Sequence, residues 1–328
     1  MSKPFYSVLE LATVNDKNTV LQTFENTLDL AAHAEKWGYT RFWFAEHHNM
    51  QSVASAATAI LIGYVAGGTK TIRVGSGGIM LPNHTPLIVA EQFGTLATLY
   101  PDRIDLGLGR APGTDQITAA ALRRDKMAAF QFPENVNELM RYLSKEYKDD
   151  KVRAVPREGI DIPVWILGSS TDSAHLAAAM GLPYSFAAHF APTQFEQAIE
   201  IYRNNFQPSK QLSKPYVMAC VNAIAADTQE EAEFLSTSLF MMFKGVITGK
   251  SDYLKAPVED ITAVLSDYER AVLPQMLKYT FIGNKENLSK NLNDFITRSQ
   301  VDEIMFTSYI YDHEKRLRSN KIVAEILE

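Results

Sequence analysis

The sequence predicts an α/β fold, a (β/α)8 barrel of the TIM type with an insertion after strand 7. Short apolar strands alternate with helical segments about eight times along the 328 residues, and this alternation predicts parallel strands covered by helices. Eight such units close a TIM barrel, and polar residues follow several strands, where barrels place their active sites. A doubly wound open sheet is the alternative, although it requires no such count. We expect one domain that spans residues 1–328.

The repeating units can be assigned from the first strand onwards. The helix after that strand is predicted to begin at Thr19, because Thr19 and Gln22 have the spacing of a capping box, and to end at Gly38. The predicted strands are Phe5–Leu11, Arg41–Ala45, Ile72–Val74, Ile104–Leu108, Val164–Leu167, Tyr184–Ala188, Tyr216–Ala225 and Glu303–Tyr309.

Two regions depart from the short repeat. Residues 114–150 hold helical material broken at Pro133, and a charged surface segment follows at residues 145–153. After strand 7, a helix at residues 229–248 leads into an irregular segment that runs through Pro274.

Composition and charge exclude several classes of protein. The net charge of −6, without a long basic run, argues against a nucleic-acid partner. There is no apolar segment of the roughly 18 residues that a membrane span needs, and Ser2-Lys3-Pro4 leads straight into a strand without a secretion signal. The single cysteine, Cys220, can form neither an internal disulfide nor a thiolate metal cluster. We therefore expect a cytoplasmic protein.

A glycine cluster, Gly75 to Gly78, follows the third strand directly. Glycine permits close approach of the backbone to a flat ligand, and an ordinary turn between strand and helix is the alternative. The segment from Gly107 to Pro112 superficially resembles a dinucleotide-binding fingerprint. It fails as one because proline occupies the sixth position.

The loop after the fifth strand is the better candidate for a phosphate site. It reads Gly168-Ser169-Ser170-Thr171-Asp172-Ser173 and enters a helix, so backbone N–H groups and hydroxyls meet at a helix N-terminus. Ordinary N-capping by Ser170 or Ser173 is the alternative. Arg110, which ends the fourth strand, can supply a charged second contact to the same phosphate.

The second strand ends in Glu46-His47-His48. Adjacent side chains of a strand point to opposite faces and the HExxH spacing is missing, so we expect no metal site. One of the two histidines can act as a proton acceptor or hydrogen-bond donor, and a structural histidine is the alternative.

Together these motifs resemble the luciferase-like flavin monooxygenase family, and the resemblance covers nearly the whole chain. It is closest to the stand-alone bacterial oxidoreductases of the family, which segment 109–115 marks. The motifs that carry it are Phe44-Ala45-Glu46-His47-His48, Gly77-Gly78-Ile79-Met80-Leu81-Pro82 with His84 and Pro86, Arg103 to Arg110, Gly168-Ser169-Ser170 and Gly181-Leu182-Pro183.

The resemblance implies roles for individual residues. Gly77 and Gly78 would form a bulge or cis peptide under the isoalloxazine ring of the flavin. Arg110 would contact the flavin phosphate, together with the loop residues Gly168, Ser169, Ser170 and Ser173. His47 would take part in acid–base steps, and a mobile lid would correspond to residues 243–274.

The resemblance also implies an activity. We expect a two-component monooxygenase in which a separate flavin reductase supplies reduced FMN, and O2 and a small organic substrate react. An F420-dependent reductase or dehydrogenase and a non-catalytic flavin-binding protein are the alternatives. The helices predicted at residues 55–66 and 87–99 would form a homodimer interface. The chain departs from the light-emitting enzyme at Gly109 and at residues 187–188, which counts against light emission from a long-chain aldehyde.

Overall fold

The computed structural model describes residues 3–124, 127–144, 151–156 and 160–328. Its strands are β1 (Phe5–Glu10), β2 (Arg41–Phe44), β3 (Arg73–Met80), β4 (Ile104–Gly109), β5 (Val164–Gly168), β6 (Tyr184–Ala187), β7 (Val217–Ala225), β8 (Thr280–Gly283) and β9 (Glu303–Thr307). Its helices are α1 (Val20–Lys36), α2 (Thr58–Gly68), α3 (Pro86–Leu99), α4 (Gln116–Ala121), α5 (Phe132–Leu143), α6 (Thr171–Met180), α7 (Phe195–Asn205), α8 (Gln229–Thr248), α9 (Asp267–Met276), α10 (Lys285–Ser299) and α11 (His313–Leu327).

Eight of the strands form a closed parallel barrel, as predicted. Each strand from β1 to β7 pairs with the next, and β9 pairs with both β7 and β1 to complete the ring. The helices cover the outside, and α1 begins with the predicted capping box between Thr19 and Gln22. Residues 145–150 of the predicted charged segment lie outside the described residues. Within the described ranges, no helix is long and apolar enough to cross a membrane.

The insertion after β7 contains more regular structure than the sequence predicted. Helix α9 occupies part of the expected irregular segment and tolerates Pro274 in its last turn. The four-residue strand β8 was not predicted, because so short an apolar run carries no periodic signal. It pairs with residues 222–225 of β7, beyond the part of β7 that contacts β6.

The prediction that β3 ends at Val74 is wrong. The strand continues through the glycine cluster to Met80, with a register shift against β4 between Ser76 and Ile79. A Cβ atom at Gly78 would lie 2.8 Å from the carbonyl oxygen of Gly107, so a side chain cannot fit between the two strands. The glycines are therefore part of the barrel wall, where the sequence suggested a loop.

Two apolar clusters fill the molecule. The larger one lies between the strands and the surrounding helices. The smaller one fills the inside of the barrel and extends under α8 and the insertion; from β7 it contains Met218, Cys220 and Ile224. Since alternate side chains of β7 belong to the two clusters, the residues of one parity face the barrel interior.

A buried network of charges closes the N-terminal end of the barrel. The Arg41 guanidinium on β2 lies 2.9 Å from a carboxylate oxygen of Asp105 on β4 and of Glu303 on β9. Both carboxylates are fully buried, and the guanidinium also lies over the Trp165 ring, 4.7 Å from its centroid. Tyr216 donates to Glu303 at 2.9 Å. One cation thus joins three strands across the barrel floor.

We predict that Arg41→Met lowers the free energy of unfolding by about 3–5 kcal/mol, because it leaves the buried Glu303 carboxylate without its guanidinium partner, whereas Asp105 keeps Arg73 at 2.6 Å. The matched control is Arg318→Met, which removes a guanidinium from the half-exposed pair with Asp227 and is expected to cost about 1 kcal/mol or less. Urea unfolding followed by circular dichroism measures both values. Equal small losses in the two variants would contradict the role of Arg41.

Candidate active site at the barrel mouth

The predicted site residues gather at the C-terminal end of the barrel. His47 follows β2, Arg110 follows β4, and the loop at residues 168–173 joins β5 to α6, while Gly77 and Gly78 lie within the second half of β3. Because all these strands are parallel, their C-terminal ends open on one face. The fold therefore brings together residues that are up to 126 positions apart in the sequence (47 to 173).

Glu46 organises the loops after β2 and β3. It is fully buried, and its Oε1 atom lies 2.9 Å from Nε2 of both His48 and His84, while Oε2 accepts from the Met80 backbone N–H at 3.0 Å. Burial alone would raise the pKa of Glu46, but these hydrogen bonds and the nearby charge of His84 bring it below its ordinary value. The carboxylate is therefore ionised, and its hydrogen bond holds the His48 imidazole in place.

The described residues contain no group of three histidine, cysteine, aspartate or glutamate side chains arranged to hold a metal ion. The cluster of Glu46, His48 and His84 is accordingly a hydrogen-bonded unit. Sequence spacing did not reveal the contact between Glu46 and His84, because they are 38 residues apart and meet only when β2 and β3 pair.

His47 makes no hydrogen bond with Glu46 and belongs to a different environment. Burial lowers its pKa, and the charge of His48 acts in the same direction, while a backbone hydrogen bond with Gly113 and the charge of Glu46 oppose the change. His47 also helps to lower the pKa of His189 to about 4, although burial of His189 is the larger cause. Two neutral imidazoles are therefore neighbours at neutral pH.

A small cavity lies at this end of the barrel. Its lining is mostly small or apolar and consists of Leu9, Gly77, Leu167, Ser185, Ala187, His189, Cys220 and Met305. The peptide bond between Gly77 and Gly78 is cis, and the register of β3 against β4 shifts here, which agrees with the expectation of a bulge or a cis peptide. The bare Gly77 backbone forms one side of the cavity. Burial raises the pKa of the Cys220 thiol, so the cysteine is an unreactive part of the wall.

Arg110 and the loop after β5 meet beside the cavity. Nη2 of Arg110 lies 3.1 Å from a carboxylate oxygen of Asp172, in the first turn of α6. Ser170 is the N-cap residue, yet its side chain makes no capping hydrogen bond. The mouth of the barrel thus presents an exposed guanidinium, a hydroxyl and a helix N-terminus together.

The other loop residues have different surroundings. The Ser173 hydroxyl donates to the Ser170 carbonyl at 2.7 Å and lies 2.9 Å from the Tyr184 hydroxyl. Gly168 packs against it, since a Cβ atom there would lie 2.1 Å from Ser173 Oγ. Ser169 is exposed. Within this loop, the Ser170 hydroxyl makes no capping hydrogen bond, whereas the Ser173 hydroxyl is bonded to the loop backbone.

The comparison with known proteins identifies the family. Residues 7–273 match the model of the luciferase-like monooxygenases. The chain belongs to the luciferase-like monooxygenase family. It is 53% identical to YvbT of Bacillus subtilis, over 98% of this chain and 96% of that protein. It is 47% identical to a luciferase-like monooxygenase of Escherichia coli K12, over 98% and 97% of the two chains.

Among solved structures, the luciferase-like fold matches that of apo-MsnO8, with a TM-score of 0.92 and 32% sequence identity over 98% of both chains. A match that extends over nearly the full length of both chains includes the insertion after β7 as well as the barrel. The insertion is thus part of the architecture that the two proteins share.

We predict that Arg110→Ala weakens binding of FMN by about 10- to 100-fold, because a charged hydrogen bond to the phosphate is lost. Binding of riboflavin, which lacks the phosphate, should change little. Quenching of flavin fluorescence measures both affinities, and Arg123→Ala, which removes an exposed arginine after α4, is the control. Equal weakening of FMN and riboflavin would remove Arg110 from the proposed phosphate site.

Proposed function

We propose that the chain is the oxygenase of a two-component flavin-dependent monooxygenase, which uses reduced FMN and O2 to oxygenate a small organic substrate. One observation carries the proposal. The cavity is lined by Gly77 and by Leu167 of β5, and the loop that follows β5 carries Ser170 and contacts Arg110. Arg110, the Ser170 hydroxyl and the helix N-terminus are groups that favour an anion. A planar ring with a phosphate on a flexible chain has the shape and charge for both regions.

The residues present fit such a cofactor. A flat ring can lie against Gly77, where no Cβ intervenes, and the apolar wall from Leu9, Leu167 and Met305 suits its faces. The phosphate would be held by Arg110, the Ser170 hydroxyl and the N-terminus of α6. Asp172 now pairs with Arg110 at 3.1 Å and would have to share that guanidinium.

Names of related proteins support monooxygenase chemistry. An N-acetyl-S-alkylcysteine monooxygenase of Bacillus subtilis is 36% identical over 95% of both chains. Two more distant structures share the fold alone: a Baeyer–Villiger monooxygenase in complex with FMN, at 14% identity, and an F420-dependent alcohol dehydrogenase, at 16%. Residues that would hold a phosphate suit either cofactor, so the choice of FMN rests on the monooxygenase names of the relatives. An F420-dependent reductase or dehydrogenase is the second candidate.

The chain's own residues would bind, shield and move protons. Reduced FMN, when bound, supplies the electrons that allow O2 to react with the substrate. His47 is kept neutral by burial, so its imidazole can accept a proton or pass one on at neutral pH. The His48 imidazole is instead hydrogen-bonded to Glu46, so we assign the proton transfer to His47. The apolar cavity wall limits water near the reacting groups.

Two partners complete the proposal. A separate reductase would supply the electrons, since the sequence lacks a motif for a tightly held nicotinamide dinucleotide. A homodimer is proposed across α2 and α3, whose outer faces expose Ile60, Tyr64, Ile88 and Leu99. A monomeric mass in light scattering at micromolar concentration would contradict the dimer. The cytoplasmic location stays a prediction.

We expect oxygenated product when the chain receives chemically reduced FMN, O2 and its substrate, and none in the same mixture without the chain, where reduced FMN gives only hydrogen peroxide. We expect little NADPH oxidation by the chain with FMN alone. Parallel reactions with reduced F420 are the control for cofactor choice. Saturable NADPH oxidation by the isolated chain would contradict the two-component arrangement. Hydride transfer with F420 and none of these reactions with FMN would favour the second candidate.

His47→Ala should bind FMN almost normally but lose product formation by about 10²- to 10⁴-fold, the usual contribution of acid–base catalysis. Oxygen would be diverted to hydrogen peroxide, so the ratio of peroxide to product measures the effect. His48→Ala should give a lower ratio of peroxide to product than His47→Ala. Its free energy of unfolding should fall, because Glu46 loses one of its two histidine partners. Normal coupling in His47→Ala would make His47 structural.

A further inference from the structure

Asp172 brings a negative charge into the group of residues that would hold a phosphate. It lies in the first turn of α6, and its carboxylate is 3.1 Å from Nη2 of Arg110. A guanidinium and a helix N-terminus are the two features of this loop that stabilise an anion. The carboxylate therefore contacts the same guanidinium that the proposed function assigns to the flavin phosphate.

Hydrogen bonds hold the main chain on both sides of this ion pair. The carbonyl of Ser170, the N-cap residue of α6, accepts from the hydroxyls of Ser173 at 2.7 Å and Tyr184 at 3.2 Å, and the Tyr184 side chain is fully buried. The Arg110 carbonyl accepts from Nη2 of Arg124 at 3.0 Å. The two backbones that carry the pair are thus fixed, and movement is left to the two side chains.

The ion pair itself is exposed and can separate. The side chains of Arg110 and Asp172 are 46% and 69% exposed, and within the described ranges Arg110 is the one hydrogen-bond partner of the Asp172 carboxylate. An ion pair at this degree of exposure changes an equilibrium constant by about fivefold at most. An arriving anion can therefore take Arg110 from Asp172 at small cost.

A second donor of the same helix end is also bonded to an oxygen of the protein. The Thr171 backbone N–H donates to Oε1 of Gln194 at 3.1 Å, whereas the Ser170 side chain makes no capping hydrogen bond. An amide oxygen satisfies this N–H without adding charge. In the loop from Gly168 to Ser173, Asp172 alone carries a negative charge. It is thus the loop residue that opposes the arrival of a second anion.

A phosphate that binds Arg110 would lie close to the Asp172 carboxylate, since both anions contact one guanidinium. Two like unit charges about 4 Å apart in water repel each other by an amount equal to about fivefold in a binding constant. The phosphate must also take the guanidinium from Asp172. Both effects lower the affinity for a phosphate, and neither acts on an uncharged ligand.

We propose that Asp172 regulates the phosphate site as an internal competitor. Its carboxylate holds the Arg110 side chain until a phosphate arrives, and it then weakens the binding of that phosphate so that the cofactor exchanges readily. The inference rests on the proposed function, in which the flavin enters reduced and leaves oxidised in each turnover. It adds a residue that lowers the affinity to the residues that provide it.

The test is Asp172→Asn, which keeps the size of the side chain and removes its charge. Binding of FMN should become about five- to tenfold tighter, while binding of riboflavin, which has no phosphate, should not change. Fluorescence quenching measures both affinities, and stopped-flow displacement should show slower release of FMN. The control is Glu286→Gln, which removes the same charge from the first turn of α10 and should change neither affinity.

A double variant shows whether Asp172 acts through Arg110. In the Arg110→Ala background, Asp172→Asn should bring a smaller gain in FMN affinity, because competition for the guanidinium is gone and only repulsion remains. A structural role for the ion pair predicts the opposite sign in the single variant. Without the carboxylate, Arg110 would be less well placed and FMN would bind more weakly.

Unchanged or weaker binding of FMN in Asp172→Asn, or an equal gain for FMN and riboflavin, would overturn the inference while the proposed function stands. An equal gain with and without Arg110 would likewise overturn the competition for its guanidinium. Binding of neither flavin by the unmodified chain would instead contradict the proposed function, and the inference with it.

Discussion

The barrel depends on a buried network of charges at its floor, in which Arg41 pairs with Asp105 and Glu303 and Arg73 pairs with Asp105. Arg41 on β2 lies between two carboxylates. Asp105 belongs to β4, which is separated from β2 by β3, and Glu303 belongs to β9, which is separated from β2 by β1. Removing these charges from water is costly, and the cost is offset only when every charge has its partner. The floor therefore forms correctly only when β2, β4 and β9 are in register. This constraint places the chemistry at the other end, because the interior below the cavity is occupied by the ion network and by Trp43 and Trp165.

A second constraint joins the fold to the site. Strands β3 and β4 approach so closely that a Cβ atom on Gly107 would lie 2.2 Å from the Ser76 carbonyl oxygen, and one on Gly78 would lie 2.8 Å from the Gly107 carbonyl oxygen. The same stretch of β3 exposes its bare backbone at Gly77 to the cavity. One run of glycines thus lets two strands pack together and leaves a flat surface for a planar ligand. A side chain at these positions would affect the barrel wall and the site together.

Much of the fold could be predicted from local pattern. Capping residues such as Thr19 and short apolar runs such as Val164–Leu167 can be recognised from a few consecutive residues. The number of predicted strand–helix units then predicts the closed barrel. Strand β8 and the end of β3 could not be predicted, because their hydrogen bonds are made with β7 and β4 rather than with neighbours in sequence. The site shows the same division. Arg110 and the loop after β5 stand out in the sequence, whereas the contact of Glu46 with His84 appears only when distant segments meet.

The central claim is that a flavin occupies the barrel mouth, with its ring against Gly77 and its phosphate beside Arg110. A crystal structure of the chain soaked with FMN tests this most directly. The account predicts density for the ring over the peptide between Gly77 and Gly78, and for the phosphate within hydrogen-bond distance of Arg110 and Ser170. Flavin bound elsewhere, or an empty mouth at a concentration that saturates the protein in solution, would contradict it.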